Sequence, residues 1–451
     1  MMDIIAAVDN FLWGYLLVFL LLGVGIFLTF VLRGLQFKQL GPALYLALIK
    51  RKEETDEGDI SHYQALMTAL AATVGTGNIV GVATAIAAGG PGALFWMWIT
   101  ALFGMATKYS EALLGVKYRH VDAAGERSGG PAFYLTNGIG GPLGRILGIL
   151  FALFAAIAAF GIGNMVQSNA TATQINNVVP AIPKWTIGIV LMVLAGAVIL
   201  GGIKSIGRFT GFFVPFMALF YILGATVVLL INIDRVPAAI GLVISDAFTG
   251  TAATGGFLGA GVAAAIRFGV ARGLFSNESG LGTGGIAAAA AQTTSPVRQA
   301  LVSMTQTFID TIVICSFTGL AIITTGVWTE SDDPGELTQL AFGESVGTIG
   351  PAFIAVGLAF FAFSTVLGWA YYGERNMEYL FGRIAVTPYR IIFIIAIFIG
   401  TVRELEGLFL LSDLMNGLMA LPNLVGLLLL SGIVVRETRL YFNGSAERRV
   451  R

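Results

Sequence analysis

Histidine and cysteine are almost missing from this sequence. Its 451 residues hold two histidines, His62 and His120, and a single cysteine, Cys315. One cysteine excludes a disulfide within the chain and a thiolate metal cluster. Two histidines leave little material for a His-built metal site or a histidine general base. Charge is scarce as well: 12% of the residues are Asp, Glu, Lys or Arg, about half the roughly 25% usual in soluble domains. The 26 basic and 26 acidic residues cancel, so no net field recruits nucleic acid or anionic partners. The string G-x-x-x-x-G-K-[ST] does not occur, which argues against ATP-driven chemistry on this chain.

Apolar residues, at 56%, and glycine, at 59 positions, fill the space instead. A bilayer core needs about 20 predominantly apolar residues per helix. Such runs occupy 11–32, 63–88, 92–116, 143–171, 185–203, 209–231, 255–291, 296–327, 350–373, 388–402 and 405–436. They predict an all-α polytopic membrane protein with 11 transmembrane helices, the seventh and eleventh runs being too long for one plain helix. The alternating pattern of a membrane barrel is not found. No short apolar segment with a basic start and a small-residue cleavage site precedes the first run, so that run is expected to be retained.

Basic residues set the orientation. With the N-terminus outside, nineteen Lys and Arg fall inside, and only Lys184, Arg235 and Arg403 fall outside. The split favours N-outside, C-inside, which an odd number of crossings satisfies. The outer loop 328–349 then carries Glu330, Asp332, Asp333, Glu336 and Glu344 with no basic residue. The stretch 33–62, with Lys50-Arg51-Lys52 ahead of an acidic cluster, is expected to form an inner surface helix and a solvated linker.

Two segments contradict ordinary transmembrane helix: 71–78, with Gly75 and Gly77 amid Thr73, Thr76 and Asn78, and 273–285, with five glycines, Asn277 and Glu278. Glycine weakens a helix interior. Small residues also serve helix packing, which is the competing reading for Gly75–Asn78. Packing does not require an Asn and a Glu amid so many glycines. Non-helical backbone at membrane depth survives only where it is buried in protein or lines a cavity. Setting the first span aside, spans 2–6 and 7–11 form two sets of opposite orientation, each opening with a broken helix. That is the pattern of an inverted-repeat secondary transporter. The chain then divides into an N-terminal helix and linker (1–62), a first five-helix repeat (63–231), a connector (232–254), a second repeat (255–436) and a tail (437–451).

Broken half-helices present N–H groups that suit a carboxylate and carbonyls that suit a cation. The amides around Thr76 and Gly77 are the expected carboxylate site, without a buried arginine. Phe275, Ser276 and Asn277 offer oxygens for an ammonium. Gln167 is a further polar candidate, with an interhelical hydrogen bond as its alternative role. Phe275 and Trp369 are candidate pocket walls. Ser364 and Thr365 supply adjacent hydroxyls to a hard cation, with the Phe361 carbonyl nearby, although such hydroxyls commonly bond back to their own helix. Among the intramembrane charges, Lys108 and Glu111 stand three apart and are expected to pair. Glu278 is expected to neutralise Arg267 or Arg272, or to cap the half-helix that begins beside it. Asp310 is expected to pair with one of those arginines; a cation ligand and a titrating group are the alternatives. Asp413 and Glu374 are expected to make gate or loop contacts.

The strings Thr73–Asn78 and Gly273–Gly282, with Gly129-Gly130-Pro131 and Asn416–Asn423, resemble the signatures of the alanine or glycine:cation symporter family across essentially the whole chain. The resemblance implies a leucine-transporter-type fold, an inverted 5+5 repeat of ten core helices preceded here by one extra. It also implies sodium-driven uptake of alanine and glycine across a prokaryotic plasma membrane, with no cofactor beyond the coupling ion, no obligate protein partner and no nucleic acid. On this resemblance Thr73, Gly75, Thr76, Gly77 and Asn78 of the first break, and Gly273, Phe275, Ser276 and Asn277 of the second, touch substrate. The Ala71 and Val74 carbonyls join Phe361, Ser364 and Thr365 at sodium, and Thr73 and Asn78 face a second sodium. Ala72 stands where the leucine-type string has an asparagine, which removes one substrate contact. The rivals are a proton-coupled symporter titrating Asp310 or Glu278, a channel, and an intramembrane enzyme, for which the two histidines offer no dyad.

Overall fold

The computed structural model describes residues 2–51, 58–122, 125–249, 258–330, 333–403 and 406–444. They are almost wholly helical, as backbone in hydrocarbon must be, because no water is present to satisfy its N–H and C=O groups. The helices are α1 (Met2–Val31), α2 (His62–Thr73), α3 (Gly77–Gly89), α4 (Gly92–Lys117), α5 (Gly141–Val178), α6 (Lys184–Ile199) and α7 (Gly202–Ile231). There follow α8 (Leu258–Asn277), α9 (Thr283–Ala289), α10 (Pro296–Thr325), α11 (Ile349–Phe381), α12 (Val386–Val402) and α13 (Glu406–Asn443). Among the described residues seven helices are long and apolar enough to cross a membrane, or eight when the bent pair α2 and α3 counts as one span. The difference from eleven apolar runs has local causes. Helix α6 has 16 residues, α4 carries buried Lys108 and Glu111, and the seventh run is divided between α8 and α9.

Several boundaries differ from the apolar runs. Helix α5 extends to Val178 through polar residues, α7 begins at Gly202, and α13 runs 38 residues straight through Pro422. The eleventh run is therefore one long helix, not a broken one. The segment after α1 forms the expected surface helix, Leu35–Tyr45 continuing to Lys50; the acidic residues 53–57 lie outside the described residues. The stretch after α7 contains the helix Val236–Thr249, and the acidic loop before α11 contains the helix Pro334–Val346. A two-stranded antiparallel pair joins His120–Val121 to Arg127–Ser128.

The outward faces are large and apolar: Phe19, Phe30 and Phe212 are each about three-quarters exposed, a surface that suits lipid chains and not water. Polar side chains are turned inward, where Asn78, Asn277, Asp310, Ser364 and Thr365 are all buried. The two broken helices lie at the centre. Helix α11 packs on α2 and α5, while α8 and α9 lie along α4. Wide π-helical turns interrupt three of the surrounding spans at Gly77–Gly81, Gly161–Met165 and Phe308–Cys315. Such turns misalign the backbone ladder and collect at functional sites; here the first two bring Gly77 and Ile162 to one central cavity, and the third brings Asp310 to Ser276 beside it.

Candidate functional site

The first break is produced by one side chain. In a continuous helix the Gly75 N–H would bond the Ala71 carbonyl, and the Asn78 N–H would bond that of Val74. Instead Gly75 N–H donates to Asn78 Oδ1 at 2.9 Å, and Asn78 N–H turns to the Gly75 carbonyl at 3.2 Å. Val74 leaves the helix with φ −76° and ψ 92°, and α3 departs at 57° to α2. The Ala71 and Val74 carbonyls are thereby released from the ladder. Gly75 is held in this bend by space, since a Cβ there would run into Thr365 Oγ1 and approach Gln167 Oε1 at 3.2 Å. Thr76 N–H donates to Gln167 Oε1 at 3.3 Å, and Gln167 Nε2 donates to the Ile162 carbonyl at 3.0 Å.

The second break lies at residues 278–282, later than the sequence suggests. Helix α8 continues through Gly273 to Asn277, so Gly273 is a packing glycine: a Cβ there would strike Thr100 Oγ1, and it does not line the pocket. The reversal needs left-handed backbone at Glu278 (φ 55°), Gly280 (φ 97°) and Gly282 (φ 93°), which glycine adopts without cost and glutamate does not. At Gly282 space matters too, because a Cβ would lie 2.5 Å from Pro131 Cγ. The loose N–H groups go to Glu111, whose Oε1 accepts from Gly280 N–H at 2.9 Å and Gly282 N–H at 3.0 Å. Asn423 donates to the same oxygen at 2.9 Å and to the Gly280 carbonyl at 2.7 Å, and Tyr134 Oη donates to Asn423 Oδ1. Lys108 pairs with Glu111 at 3.7 Å, as expected, and donates to the Glu278 carbonyl at 2.9 Å. Glu278 itself neither meets an arginine nor caps α9 through backbone. Its carboxylate accepts from Thr283 Oγ1 at 2.6 Å and Trp369 Nε1 at 3.0 Å.

Beside the first break, α11 presents Ser364 and Thr365 to the released carbonyls. Ser364 Oγ lies 3.3 Å from the Ala71 oxygen, 3.4 Å from that of Val74 and 2.8 Å from that of Phe361. Thr365 Oγ1 lies 3.3 Å from the Val74 oxygen and 3.0 Å from that of Phe361. These are five oxygen–oxygen approaches served by two hydroxyl hydrogens, because each hydroxyl donates once. The approaches left without a hydrogen are repulsive unless a cation sits among them. Five neutral hard oxygens fit a monovalent cation and offer nothing to a soft metal. Among the described residues no group of three His, Cys, Asp or Glu side chains is placed to hold a metal.

A small central cavity of about 20 Å³, lined by mostly buried residues, lies next to this cluster. Thr73, Gly75, Gly77, Gln167, Phe275, Ser276, Thr365 and Trp369 line it, together with Ala72, Ile162, Glu278, Leu281 and Asn416. Ile162, Leu281 and Asn416 were not among the expected site residues: Ile162 is an ordinary apolar residue, while Leu281 and Asn416 stand in the family-like strings without an assigned role, Asn416 reaching the cavity from α13. Thr76 borders the break through its amide.

Other expected groupings do not form. Asn277 turns away to Thr311 Oγ1 at 3.2 Å and to the Ser279 N–H at 3.0 Å. Thr73 and Asn78 do not meet. Thr73 Oγ1 donates to the Ala69 carbonyl and accepts from Gln306 Nε2 at 3.3 Å, while Asn78 Nδ2 donates to Asp310 Oδ1 at 2.7 Å. Asp310 has no arginine partner. Its other oxygen accepts from Ser276 and Thr311 hydroxyls, both at 2.8 Å. The arginines lie elsewhere, Arg267 over the Tyr15 ring and Arg272 over that of Phe275. Glu374 pairs with Arg375 at 3.0 Å and Arg390 at 2.5 Å.

The two broken helices are tied together at their other side. Asp59 and Ile60 N–H both donate to the Ala290 carbonyl, at 2.8 and 3.2 Å, and Gln292 N–H donates to the Ile60 carbonyl at 2.7 Å. Asp59 Oδ2 accepts from the Arg127 N–H at 2.8 Å, and Arg119 donates to the Ala291 and Thr293 carbonyls at 2.9 and 3.0 Å. Burial raises the Asp59 carboxyl above its ordinary pKa, with the Arg127 N–H and guanidinium acting against the rise. Asp59→Ala removes the acceptor for a buried N–H, a loss of about 1–3 kcal/mol. Amide exchange at residues 58–61 and 289–293 is expected to quicken by about tenfold or more, readable by hydrogen-exchange mass spectrometry. Unchanged exchange would show that this tie does not hold the segments together.

The profile of the sodium:alanine symporter family matches residues 1–450. The sodium/alanine symporter AgcS of Methanococcus maripaludis is 52% identical over 443 residues, covering 97% of each chain. An uncharacterized transporter of Haemophilus influenzae is 48% identical, covering 98% of this chain and 96% of its own. Among solved structures, MhsT in complex with L-phenylalanine aligns over 84% of this chain and 98% of its own, with a TM-score of 0.50 and 14% identity. That likeness extends to the fold alone, which is of the leucine-transporter type. The chain belongs to the sodium:alanine symporter family, a family of transporters and not of enzymes.

Proposed function

We propose that this protein is a sodium-coupled symporter that imports alanine and glycine by alternating access. It sits in a prokaryotic plasma membrane with its N-terminus outside and its C-terminus inside. Eleven helices cross the bilayer, the last ten as an inverted 5+5 repeat in which α2–α3 and α8–α9 each count as one broken span. The observation that carries the reading is the convergence of the Ala71, Val74, Phe361, Ser364 and Thr365 oxygens beside a small cavity at the start of α3. The amino acid's carboxylate lies at the Thr76 and Gly77 amides, where the half-helix end is positive. Its ammonium meets the oxygens of Phe275 and Ser276, which line the cavity. Sodium occupies the five-oxygen cluster and joins the first broken helix to α11.

A cavity of about 20 Å³ has room for about one water, so even alanine enters only when the Phe275 and Trp369 walls yield. Larger side chains need more displacement. Glycine is expected to compete with labelled alanine, and leucine or phenylalanine only weakly. Gly77→Val should abolish uptake: a Cβ alone fits, 3.5 Å from Ser276 Cα and 3.6 Å from the Phe275 ring, but the branched methyls fill the carboxylate position. Strong inhibition by leucine at concentrations comparable with alanine would contradict the small pocket.

The test is alanine uptake into proteoliposomes under an imposed sodium gradient, with a proton gradient alone as the contrast. Proton coupling is the second reading, favoured by buried Asp310, which is held by Asn78, Ser276 and Thr311 and forms no ion pair among the described residues. Uptake driven by protons alone, and lost in Asp310→Asn, would establish it in place of sodium.

A further inference from the structure

A groove of about 710 Å³ lies outside the central pocket, between the end of the surface helix at Lys50, the start of α2 and the first turns of α7. Lys50, Arg51 and Arg208 line it, and no carboxylate does. All three are exposed, and among the described residues none of them forms an ion pair. Arg51 sits in left-handed backbone at φ 60°, a conformation rare for any residue with a side chain. Its guanidinium lies over the Tyr63 ring, 4.7 Å from the centre, and its Nε donates to the Leu48 carbonyl at 2.6 Å. Both contacts fix the plane of the group and leave its two terminal nitrogens, both donors, without a bond among the described residues. The amides at the start of α2 are already used. Tyr63 N–H donates to the Arg51 carbonyl at 3.0 Å, and Gln64 N–H donates to Ser61 Oγ at 3.2 Å. The positive charge of the groove therefore belongs to side chains and not to a helix end. Ile49 and Phe212 extend the same lining with exposed apolar surface.

We propose that this groove binds an anionic phospholipid, its headgroup phosphate against Lys50, Arg51 and Arg208 and an acyl chain along Ile49 and Phe212. Charge alone would suit a free phosphate as well; the apolar flank is what selects a lipid. Basic pockets between membrane helices suit anionic headgroups, and the planar guanidinium fork matches phosphate oxygens. The volume is that of about twenty waters, which admits a glycerophosphate headgroup. With the orientation proposed above, the groove opens toward the inner leaflet. It also touches the foot of α2, the helix whose far end carries the Ala71 and Val74 carbonyls. Helix α7 is joined to α2 one step further along by the hydroxyl pair Thr68 and Thr210 at 3.2 Å. A bound lipid therefore braces the foot of the first broken helix against α7 and the surface helix. The inference does not depend on which solute or ion is carried.

The experiment is thermal unfolding of the purified full-length chain in neutral detergent, titrated with phosphatidylglycerol, phosphatidylcholine or inorganic phosphate. A ligand of the folded state raises Tm as its concentration rises. Phosphatidylglycerol is expected to act at concentrations at least about tenfold below the other two. Amide exchange at residues 45–51 and 61–66 should slow when it is added. Lys50→Gln and Arg208→Gln should each raise the concentration required by about fivefold, and the double variant by about 25-fold. Gly211→Leu keeps every charge but fills the groove that Gly211 helps to line. A Cβ there meets Gln64 Cγ at 3.5 Å, an ordinary contact, so this variant should fold and lose the response. Arg439→Gln removes an exposed charge near the end of α13 and should respond like wild type. Each variant is compared with itself without lipid, so a change in its own stability does not obscure the response. An equal response to phosphatidylcholine or to inorganic phosphate overturns the lipid assignment. So does a loss in Arg439→Gln equal to that in Lys50→Gln, which would mark diffuse surface attraction. Stabilisation without slowed exchange at the groove would put the lipid elsewhere and overturn the site. None of these results bears on the central reading.

Discussion

Glu111→Ala is expected to prevent the protein from accumulating as a folded membrane protein. The substitution removes more than a salt bridge. It leaves Lys108 as a fully buried cation, strips the acceptor from the Gly280 and Gly282 N–H groups, and frees one Asn423 bond. Breaking a buried pair by deleting one partner costs about 3–5 kcal/mol, and each orphaned buried N–H adds about 1–3 kcal/mol. Native stabilities are only about 5–15 kcal/mol, so the sum is comparable with the whole. Glu111→Gln keeps an acceptor for the two glycine amides while still abandoning Lys108, and should be milder. Size-exclusion chromatography after mild detergent extraction, with thermal unfolding of whatever elutes, checks the ranking. A Glu111→Ala protein that elutes and melts like wild type would show that the second break is held by packing instead.

That network explains which parts of the molecule were legible before the fold. The breaks were visible because Gly-x-Gly beside Thr and Asn, and five glycines around Asn277 and Glu278, conflict with an apolar helix. Lys108 with Glu111 was visible by spacing along one helix. The third element of the bracket was not: Asn423 meets Glu111 from a distant part of the chain, and no local pattern encodes that meeting. Distance in sequence also accounts for Asp310. An intramembrane carboxylate with two arginines in the next span invites an ion pair, but wide π-helical turns at Gly77–Gly81 and Phe308–Cys315 bring Asn78 and Asp310 together instead. Gly273 shows the limit of reading glycine as a breaker, since the same residue type also permits α8 to pack against Thr100. The Ser364 and Thr365 pair on α11 was ambiguous by itself, because such hydroxyls commonly bond back to their own helix; only the family resemblance set them beside the Ala71 and Val74 carbonyls, to which they do lie close.

Thr365→Ala is expected to raise the sodium concentration for half-maximal alanine uptake by about 10- to 100-fold, since even groups that merely support a metal's ligands are worth that much. Thr365→Ser keeps the oxygen and should shift it far less. The cluster joins the bent first helix to α11, so a cation there favours the arrangement in which both are in place. Coupling is reciprocal: the factor by which sodium tightens alanine binding must equal the factor by which alanine tightens sodium, and Thr365→Ala should shrink both together. Gly75 supplies a control for simple steric damage. Gly75→Ala places a Cβ against Thr365 Oγ1, so it displaces the ligand without deleting it, and should also impair sodium dependence. In the double variant the obstructing oxygen is gone. If the oxygen is a ligand, the double variant should fold better than Gly75→Ala and yet remain as sodium-insensitive as Thr365→Ala. That non-additivity is expected only of residues in contact. If the double variant instead regains wild-type sodium dependence, the hydroxyl served packing alone. The coupling ion would then have to lie elsewhere, with the Asn78–Asp310–Ser276 cluster as the next place to look.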